Sequence, residues 1–106
     1  MNDTIKQWQD YTATVERLNG WNDQTGSDAV AMLAEEVGEV SRAVKRLTHH
    51  RDGHNENYTE EEKIAKIKEE LVDTLFVICK IANLHSIDLT DGIGLHLDKM
   101  KERGLM

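Results

Sequence analysis

Apolar residues recur along this chain at the three- and four-residue spacing of amphipathic helices, and β-branched runs that alternate strictly between apolar and polar residues are absent. The sequence also contains no proline. Both features predict an all-α protein. Four helices are predicted, over about residues 2–18, 27 or 28 to 48, 59 to 84 or 85, and 88 or 90 to 103.

Residues at the predicted helix ends are those that commonly cap helices. Gly20 follows the first helix, where a glycine adopts the left-handed conformation that often ends a helix. Ser27 or Asp28 is expected to cap the second helix, and Thr59 followed by three glutamates is a strong N-terminal signature for the third. Residues 49–58 are polar and aperiodic, which predicts a loop.

The apolar positions also indicate which helix faces are buried. One narrow stripe of the second helix consists of Leu33, Val37, Val40, Val44 and Leu47. The apolar side of the first helix consists of Ile5, Trp8, Tyr11, Thr12, Val15 and Leu18, and we expect Trp8 in the core. Residues 71–84 carry charges only on Asp73 and Lys80, so the third helix is expected to be buried on most faces.

Length, charge and cysteine content limit the class of protein. A chain of 106 residues fits a single domain, 1–106, whose core is modest enough for pairing with a second copy to help it. The net charge of −7 argues against a nucleic-acid polymer as partner. No apolar run approaches the ~20 residues that span a bilayer, and the polar N-terminus is unlike a signal peptide. A single cysteine, Cys79, fits a reducing compartment, so we expect a cytoplasmic protein.

Two pairs of carboxylates lie beside these apolar stripes. Glu36 and Glu39 are three residues apart in the second helix, and Glu70 and Asp73 are three apart in the third. An unpaired buried carboxylate costs several kcal/mol. Because hard divalent cations such as Mg²⁺ take oxygen ligands, we interpret the four acids of two antiparallel helices as a magnesium site, which suits phosphate chemistry.

There are two other interpretations of the acids, of which the first stays open and the second disagrees with the sequence. In the first, the acids are surface residues in ordinary helix ion pairs, since solvated acidic faces are common. A di-iron bundle would use Glu-x-x-His pairs, whereas Glu36 and Glu70 are followed by Glu39 and Asp73. The chain therefore favours a redox-inert ion over iron.

The string Glu35-Glu36-Val37-Gly38-Glu39-Val40, followed by Glu70-Leu71-Val72-Asp73, resembles the MazG-like family of all-α nucleoside triphosphate pyrophosphohydrolases. The resemblance spans about residues 5–103, with a spacer of 30 residues between Glu39 and Glu70 that is long for the family. It implies a four- to five-helix antiparallel bundle completed by oligomerisation, as a homo-dimer or tetramer. Glu36, Glu39, Glu70 and Asp73 are the implied Mg²⁺ ligands, with Mn²⁺ as a possible substitute, and Glu35 would orient or activate the attacking water.

The resemblance also implies the reaction: cleavage of a (deoxy)nucleoside triphosphate to the monophosphate and pyrophosphate, in control or cleaning of the nucleotide pool. The metal would neutralise phosphate charge and acidify a water, so no serine or cysteine nucleophile is required. The competing hypothesis is a non-catalytic helical dimerisation or regulatory module whose acids are only surface charge. Neither composition nor spacing identifies the preferred base or sugar.

Five further residues are candidate substrate contacts. For Trp21, the two interpretations are stacking on the base and covering the end of the bundle. Lys99 and Arg103 are interpreted either as phosphate contacts or as ordinary C-terminal helix charges. Lys80 is expected either to reach the site or to extend to water, and Asn83 either to bind a sugar or base edge or to satisfy the backbone. Three histidines, His49, His50 and His54, fit a solvated loop better than a transition-metal site.

Overall fold

The computed structural model of the chain describes residues 4–48 and 58–106. These residues form four α-helices, α1 Thr4–Asn19, α2 Gly26–Thr48, α3 Glu60–Leu84 and α4 Leu89–Glu102. No strand occurs in either described range, which confirms the predicted all-α class. The predicted loop with its three histidines lies outside the described residues, except for Tyr58.

Three of the predicted helix ends are confirmed by the backbone geometry. Gly20, with a φ of 70°, follows α1, and the Trp21 amide donates to the Glu16 carbonyl at 2.8 Å. Thr59 caps α3, and its hydroxyl and the Glu62 carboxylate each accept the other residue's amide in a capping box. Asp88 caps α4 and accepts the Thr90 amide.

The beginning of α2 differs from the prediction, which placed the cap at Ser27 or Asp28. The helix begins at Gly26. The Thr25 amide donates to the Asp28 carboxylate at 3.0 Å, and the Asp28 amide donates to the Thr25 hydroxyl at 3.2 Å. These bonds lower the pKa of Asp28. Thr25 and Asp28 are three residues apart, so both halves of this reciprocal cap were present in the sequence, with the cap two or three residues earlier than expected.

The helices α2 and α3 form an antiparallel pair, and α1 packs against α3 and touches α4. At one end of the pair, Gly26 lies so close to His85 that an added Cβ would be 3.0 Å from the imidazole. At the other end, the Arg46 guanidinium lies 5.8 Å from the centre of the Tyr58 ring, ahead of α3. The middles of α2 and α3 are therefore level with each other, which places the two acid pairs side by side.

The buried side of α1 is polar, unlike the apolar side that the sequence pattern suggested. Gln9, Thr12 and Glu16 are its buried residues, whereas Leu18 is 75% exposed. Trp8, expected in the core, is half-buried, and its ring meets the Tyr11 ring edge-on at 5.3 Å. On α3, Cys79 is fully buried, and burial raises the pKa of its thiol. The contact between α1 and α3 therefore combines buried polar side chains with an edge-on packing of the Tyr11 and Phe76 rings at 6.4 Å.

A single copy leaves much of its apolar surface uncovered. Its Cα radius of gyration is 17.0 Å, whereas a compact domain of this length has about 13 Å. No residue of α4 is buried. Among the described helices, none has the length and apolar character needed to cross a bilayer.

Candidate functional site

Three carboxylates converge in the middle of the α2–α3 pair. Glu36 of α2 and Glu70 and Asp73 of α3 each offer an oxygen, and these atoms all lie within 4.8 Å of one another. Glu36 lies on the same side of α2 as the buried Ala29 and Ala43, seven residues away in each direction. Glu70 lies seven residues before the buried Val77. The apolar packing of the two helices therefore directs both glutamates toward the contact between them.

The electrostatics of this acid cluster, Glu36, Glu70 and Asp73, are unfavourable without a cation. Desolvation is the main cause that raises the pKa of Glu36, and the neighbouring Asp73 and Glu70 charges raise it further. Desolvation also raises the pKa of Asp73, with the charge of Glu70 as the next cause. Like charges held this close disfavour joint ionisation. A bound cation would remove that penalty.

Among the residues that the structure describes, Lys66 contacts the acid cluster directly. The Lys66 ammonium lies 3.0 Å from Glu70 Oε1 and 3.6 Å from Glu69 Oε2. The Glu70 side chain is 6% exposed and that of Lys66 is 43% exposed, so the lysine reaches the buried carboxylate from the surface. This hydrogen bond raises the pKa of Lys66. Sequence reasoning missed Lys66, although its position four residues before Glu70 is a recognisable helix ion pair.

The fourth predicted ligand, Glu39, has a different partner. Its carboxylate accepts a hydrogen bond from Arg42 at 3.0 Å on the outside of α2, where both side chains are substantially exposed. Its charge nevertheless contributes to the raised pKa of Glu36, so it lies near the cluster. Glu35, the predicted water-activating acid, is exposed on the same turn of α2. The roles of both residues stay predictions.

Lys80 has a buried partner of its own. Its ammonium lies 2.9 Å from Glu16 Oε2 and donates to Gln24 Oε1, and the residue is only 1% exposed. The side chain therefore does not extend to water, which corrects one of the two sequence-based alternatives. Instead the ion pair joins α3 to α1 and to the α1–α2 loop. Its predicted contact with substrate stays untested.

Asn83 belongs to a hydrogen-bonded group centred on Gln9. Asn83 Nδ2 donates to the Gln9 carbonyl at 2.9 Å, and Gln9 Nε2 donates to Asn83 Oδ1 at 3.1 Å. Gln9 Nε2 also donates to the Ile87 carbonyl at 2.8 Å, and the Leu89 amide donates to Gln9 Oε1 at 2.9 Å. This arrangement matches the backbone-satisfying alternative for Asn83. Sequence reasoning missed Gln9 and Glu16, because a polar residue on an apolar stripe gives no distinct signal of burial.

The other predicted substrate contacts lie on the surface. Trp21 is 47% exposed in the α1–α2 loop. Lys99 and Arg103 are exposed at the end of α4. A cavity of about 300 Å³ is lined in part by Asn22, the residue that follows Trp21 in the chain, and by Lys80 and Asn83. The structure therefore offers a recess at the α1–α2 loop, lined in part by polar side chains of that loop and of α3.

The acid cluster fits a hard divalent cation. Oxygen ligands on opposite sides of Mg²⁺ are about 4.2 Å apart, and those around larger cations are farther apart. The observed spread of 4.8 Å is close enough for small side-chain rotations to bring all three oxygens onto one ion. Three carboxylates with no sulfur or imidazole among them are a donor set that suits Mg²⁺, Mn²⁺ or Ca²⁺ better than softer metals.

Comparison with known proteins agrees with this geometry. The model of the MazG nucleotide pyrophosphohydrolase domain matches residues 24–104, which contain all three acids and the helices α2 to α4. The chain is also similar to the uncharacterized protein YvdC of Bacillus subtilis, with 29% identity over 85 residues, 79% of this chain and 80% of that protein. The match to the family model covers well over half of the sequence, so the chain belongs to the MazG nucleotide pyrophosphohydrolase family.

Proposed function

We propose that this protein is a magnesium-dependent nucleoside triphosphate pyrophosphohydrolase that converts a (deoxy)nucleoside triphosphate to the monophosphate and pyrophosphate. The single observation that carries the proposal is the convergence of Glu36, Glu70 and Asp73 within 4.8 Å in a member of this family. Control or cleaning of the nucleotide pool in the cytoplasm is the role that such a reaction would serve.

The acid cluster would hold the metal through one oxygen of each carboxylate. Glu39 lies one turn from Glu36 and would join them by exchanging its hydrogen bond with Arg42 for the cation. That exchange is inexpensive, because an exposed ion pair contributes little to stability. The bound cation would supply neutralisation of phosphate charge and a lowered pKa for water.

The remaining residues would orient the reactants. Glu35 is an exposed carboxylate on the turn that carries Glu36, where it could accept a proton from the attacking water or hold that water in line. Trp21 would offer a face for the base beside the recess lined by Asn22. Lys99 and Arg103 are cations on one helix, four residues apart, and would meet phosphate oxygens.

A second copy of the chain is the proposed partner, and the observation behind it is an exposed apolar face on the α2–α3 pair. Three residues spaced by seven on α2 are each at least 39% exposed, and so are three residues spaced by seven on α3. They are Val30, Val37 and Val44 on α2, and Ile64, Leu71 and Ile78 on α3. A seven-residue repeat is the spacing that helices use to pack against other helices.

Both rows lie on one side of the pair. Glu36 on α2 and Glu70 on α3 mark the direction in which each helix faces the other. Val37 and Leu71 each follow by one residue, so on the helical wheel both rows are rotated from that direction by about 100° in the same sense. In antiparallel helices, equal rotations bring two rows to the same side. Glu39 and Asp73 are rotated in the opposite sense, so the acid cluster opens away from the apolar face. Two copies joined by their apolar faces would form a four-helix bundle and leave both acid clusters accessible.

The test of the catalytic proposal is turnover of a panel of nucleoside triphosphates with and without Mg²⁺, with identification of the products. Pyrophosphate and a nucleoside monophosphate are expected, and a chelator should abolish their release. Glu70→Gln should lower kcat by about 100-fold or more, because even loss of a ligand's supporting partner commonly costs 10–100-fold. Glu69→Gln removes the same charge one residue away and should retain activity close to that of the parent.

The competing proposal, a non-catalytic dimerisation or regulatory module, makes the opposite prediction for the same assay. The protein would then self-associate through its apolar face but release no pyrophosphate from any nucleotide of the panel, with Mg²⁺ or Mn²⁺. Release of orthophosphate with a nucleoside diphosphate would contradict both proposals, since it would place cleavage at the terminal phosphate.

A further inference from the structure

We propose that Lys66 is a built-in counter-ion of the acid cluster, which competes with the divalent cation for Glu70 and thereby lowers the affinity of the site for metal. This inference rests on the proposed function, because the competition requires that the acid cluster bind a cation. It adds a residue outside the acidic signature, one that sets how much free metal the protein needs before its site is filled.

The contacts of Lys66 support this role. Its ammonium lies 3.0 Å from Glu70 Oε1, within hydrogen-bond distance of a carboxylate that is 6% exposed. A carboxylate this well buried has few waters to replace a lost partner, so the hydrogen bond contributes more than a surface ion pair would. The charge of Lys66 also reaches Asp73, a second member of the acid cluster. One lysine therefore balances two of the three acids.

Metal binding and this ion pair oppose each other. A cation among Glu36, Glu70 and Asp73 would add positive charge a few ångströms from the ammonium, and like charges at that separation repel. The Lys66 side chain is 43% exposed, so its ammonium can move into solvent when the cation arrives. The free energy of the broken Lys66–Glu70 contact is then subtracted from the free energy of metal binding.

Other basic residues near the acids are held by different partners. Arg42 is bonded to Glu39 on the outside of α2. Lys80 is buried against Glu16 and Gln24. Lys68 is exposed two residues from Lys66, and two residues of helix turn a side chain by about 200° to the opposite face. Lys68 is therefore a control for Lys66 with the same charge on the same helix.

The experiment is calorimetric titration of the metal-free full chain with Mn²⁺ and with Mg²⁺, comparing the parent with Lys66→Met, Lys66→Arg and Lys68→Met. Lys66→Met removes the competing ammonium and should bind both metals about threefold to tenfold more tightly than Lys68→Met. Both variants change the net charge equally, so the difference between them reports the Lys66–Glu70 contact. Lys66→Arg keeps the cation and should bind metal within about twofold of the parent. In metal-free buffer, Lys66→Met should also unfold at a lower temperature than Lys68→Met.

Equal metal affinities of Lys66→Met and Lys68→Met would overturn the inference while leaving the metal site in place. Weaker binding by Lys66→Met would overturn it as well, because the lysine would then support the metal instead of competing with it. If the parent and all variants bind neither metal, the proposed function fails together with the inference. Turnover is not needed for any of these outcomes, so the two failures can be told apart.

Discussion

The ionised carboxylate of Glu36 is suited to binding a cation, and without a cation its charge lowers the stability of the folded chain. Its pKa is raised in the folded chain, first by desolvation and then by the charges of Asp73 and Glu70. An acid whose pKa is higher when folded than when unfolded binds more protons in the native state. Ionisation of such an acid therefore reduces the stability of the metal-free protein.

Replacement of Glu36 by Gln should stabilise the metal-free protein at neutral pH. The amide removes the charge and keeps a hydrogen-bond donor for the neighbouring Glu70, whose side chain is one of the causes that raise the pKa of Glu36. We expect a gain of roughly 0.5–1 kcal/mol, or about 2–6 °C in Tm, by thermal unfolding in chelator. Glu35→Gln, an exposed change of the same charge, should leave Tm near that of the parent. A fall in the Tm of Glu36→Gln would contradict the assigned electrostatics.

The sign of this effect also fixes its pH dependence. At a pH below the ordinary pKa values, 4.5 for Glu36 and 3.8 for Asp73, these acids are protonated in both the folded and the unfolded chain, so ionisation does not reduce stability there. As pH rises from there through the raised folded values, the unfolded state loses its protons first and stability falls. Glu36→Gln should flatten this decline when Tm is followed between pH 4 and 7, and saturating Mg²⁺ should reduce the decline in the parent.

The acid residues could be predicted from sequence, whereas the polar contacts of α1 could not. Carboxylates beside an apolar stripe are informative because burial without a partner is expensive, so their spacing predicted a cluster of Glu36, Glu39, Glu70 and Asp73. The structure brings all of these except Glu39 together. Gln9 and Glu16 are buried too, but their partners, Asn83 and Lys80, lie more than sixty residues away. Nothing local in the sequence separates such a residue from an exposed one. Lys66 was missed because an ion pair within one helix is usually a surface feature.

At the scale of the elements, the turn between α3 and α4 holds a non-glycine residue in the left-handed region. Ser86 has a φ of 56°, and the next amide, that of Ile87, donates to the Ala82 carbonyl at 2.8 Å. Gly20 and Gly104 occupy the equivalent positions after α1 and α4, each with a φ of 70°. A side chain at such a position raises the energy of the backbone by about 1–2 kcal/mol.

Ser86→Gly should therefore stabilise the protein, because glycine adopts this conformation without strain. Part of the gain is lost to the greater flexibility of glycine in the unfolded chain, which leaves about 0.5–1 kcal/mol. Denaturant unfolding followed by circular dichroism would measure it. Gly20→Ser, the reverse change at the matching position after α1, should destabilise the protein by a similar amount. A loss of stability in Ser86→Gly would mean that the serine side chain makes a contact that outweighs the strain.

At the scale of the whole molecule, the sequence pattern predicts where the helices lie but not which of their faces pack together. Helix positions follow from capping residues and apolar spacing, both of which are local, and the sequence predicted all four helices. The apolar stripe of α2, which includes Val37 and Val44, was also visible in the sequence, where it suggested a buried face. The structure instead leaves Val37 54% exposed, because the opposite α3 contacts the neighbouring side of α2, where Ala29, Glu36 and Ala43 lie. Which side of an apolar helix faces its own chain depends on the fit of two helices, and sequence spacing alone does not determine it.

Leu71 is the residue with which to test the proposed self-association, because it lies in the middle of its row on α3 and is 52% exposed. In a symmetric dimer, each substitution removes two apolar contacts and buries two charges. Leu71→Lys should therefore cost at least about 3 kcal/mol of association free energy, or a Kd about 100-fold higher. Sedimentation velocity over a range of concentrations would detect the shift from dimer to monomer, with Leu18→Lys, at a site 75% exposed on α1, as the control. A parent protein that sediments as a monomer at high concentration would contradict the assembly, and it would leave the apolar face of a single copy in contact with water.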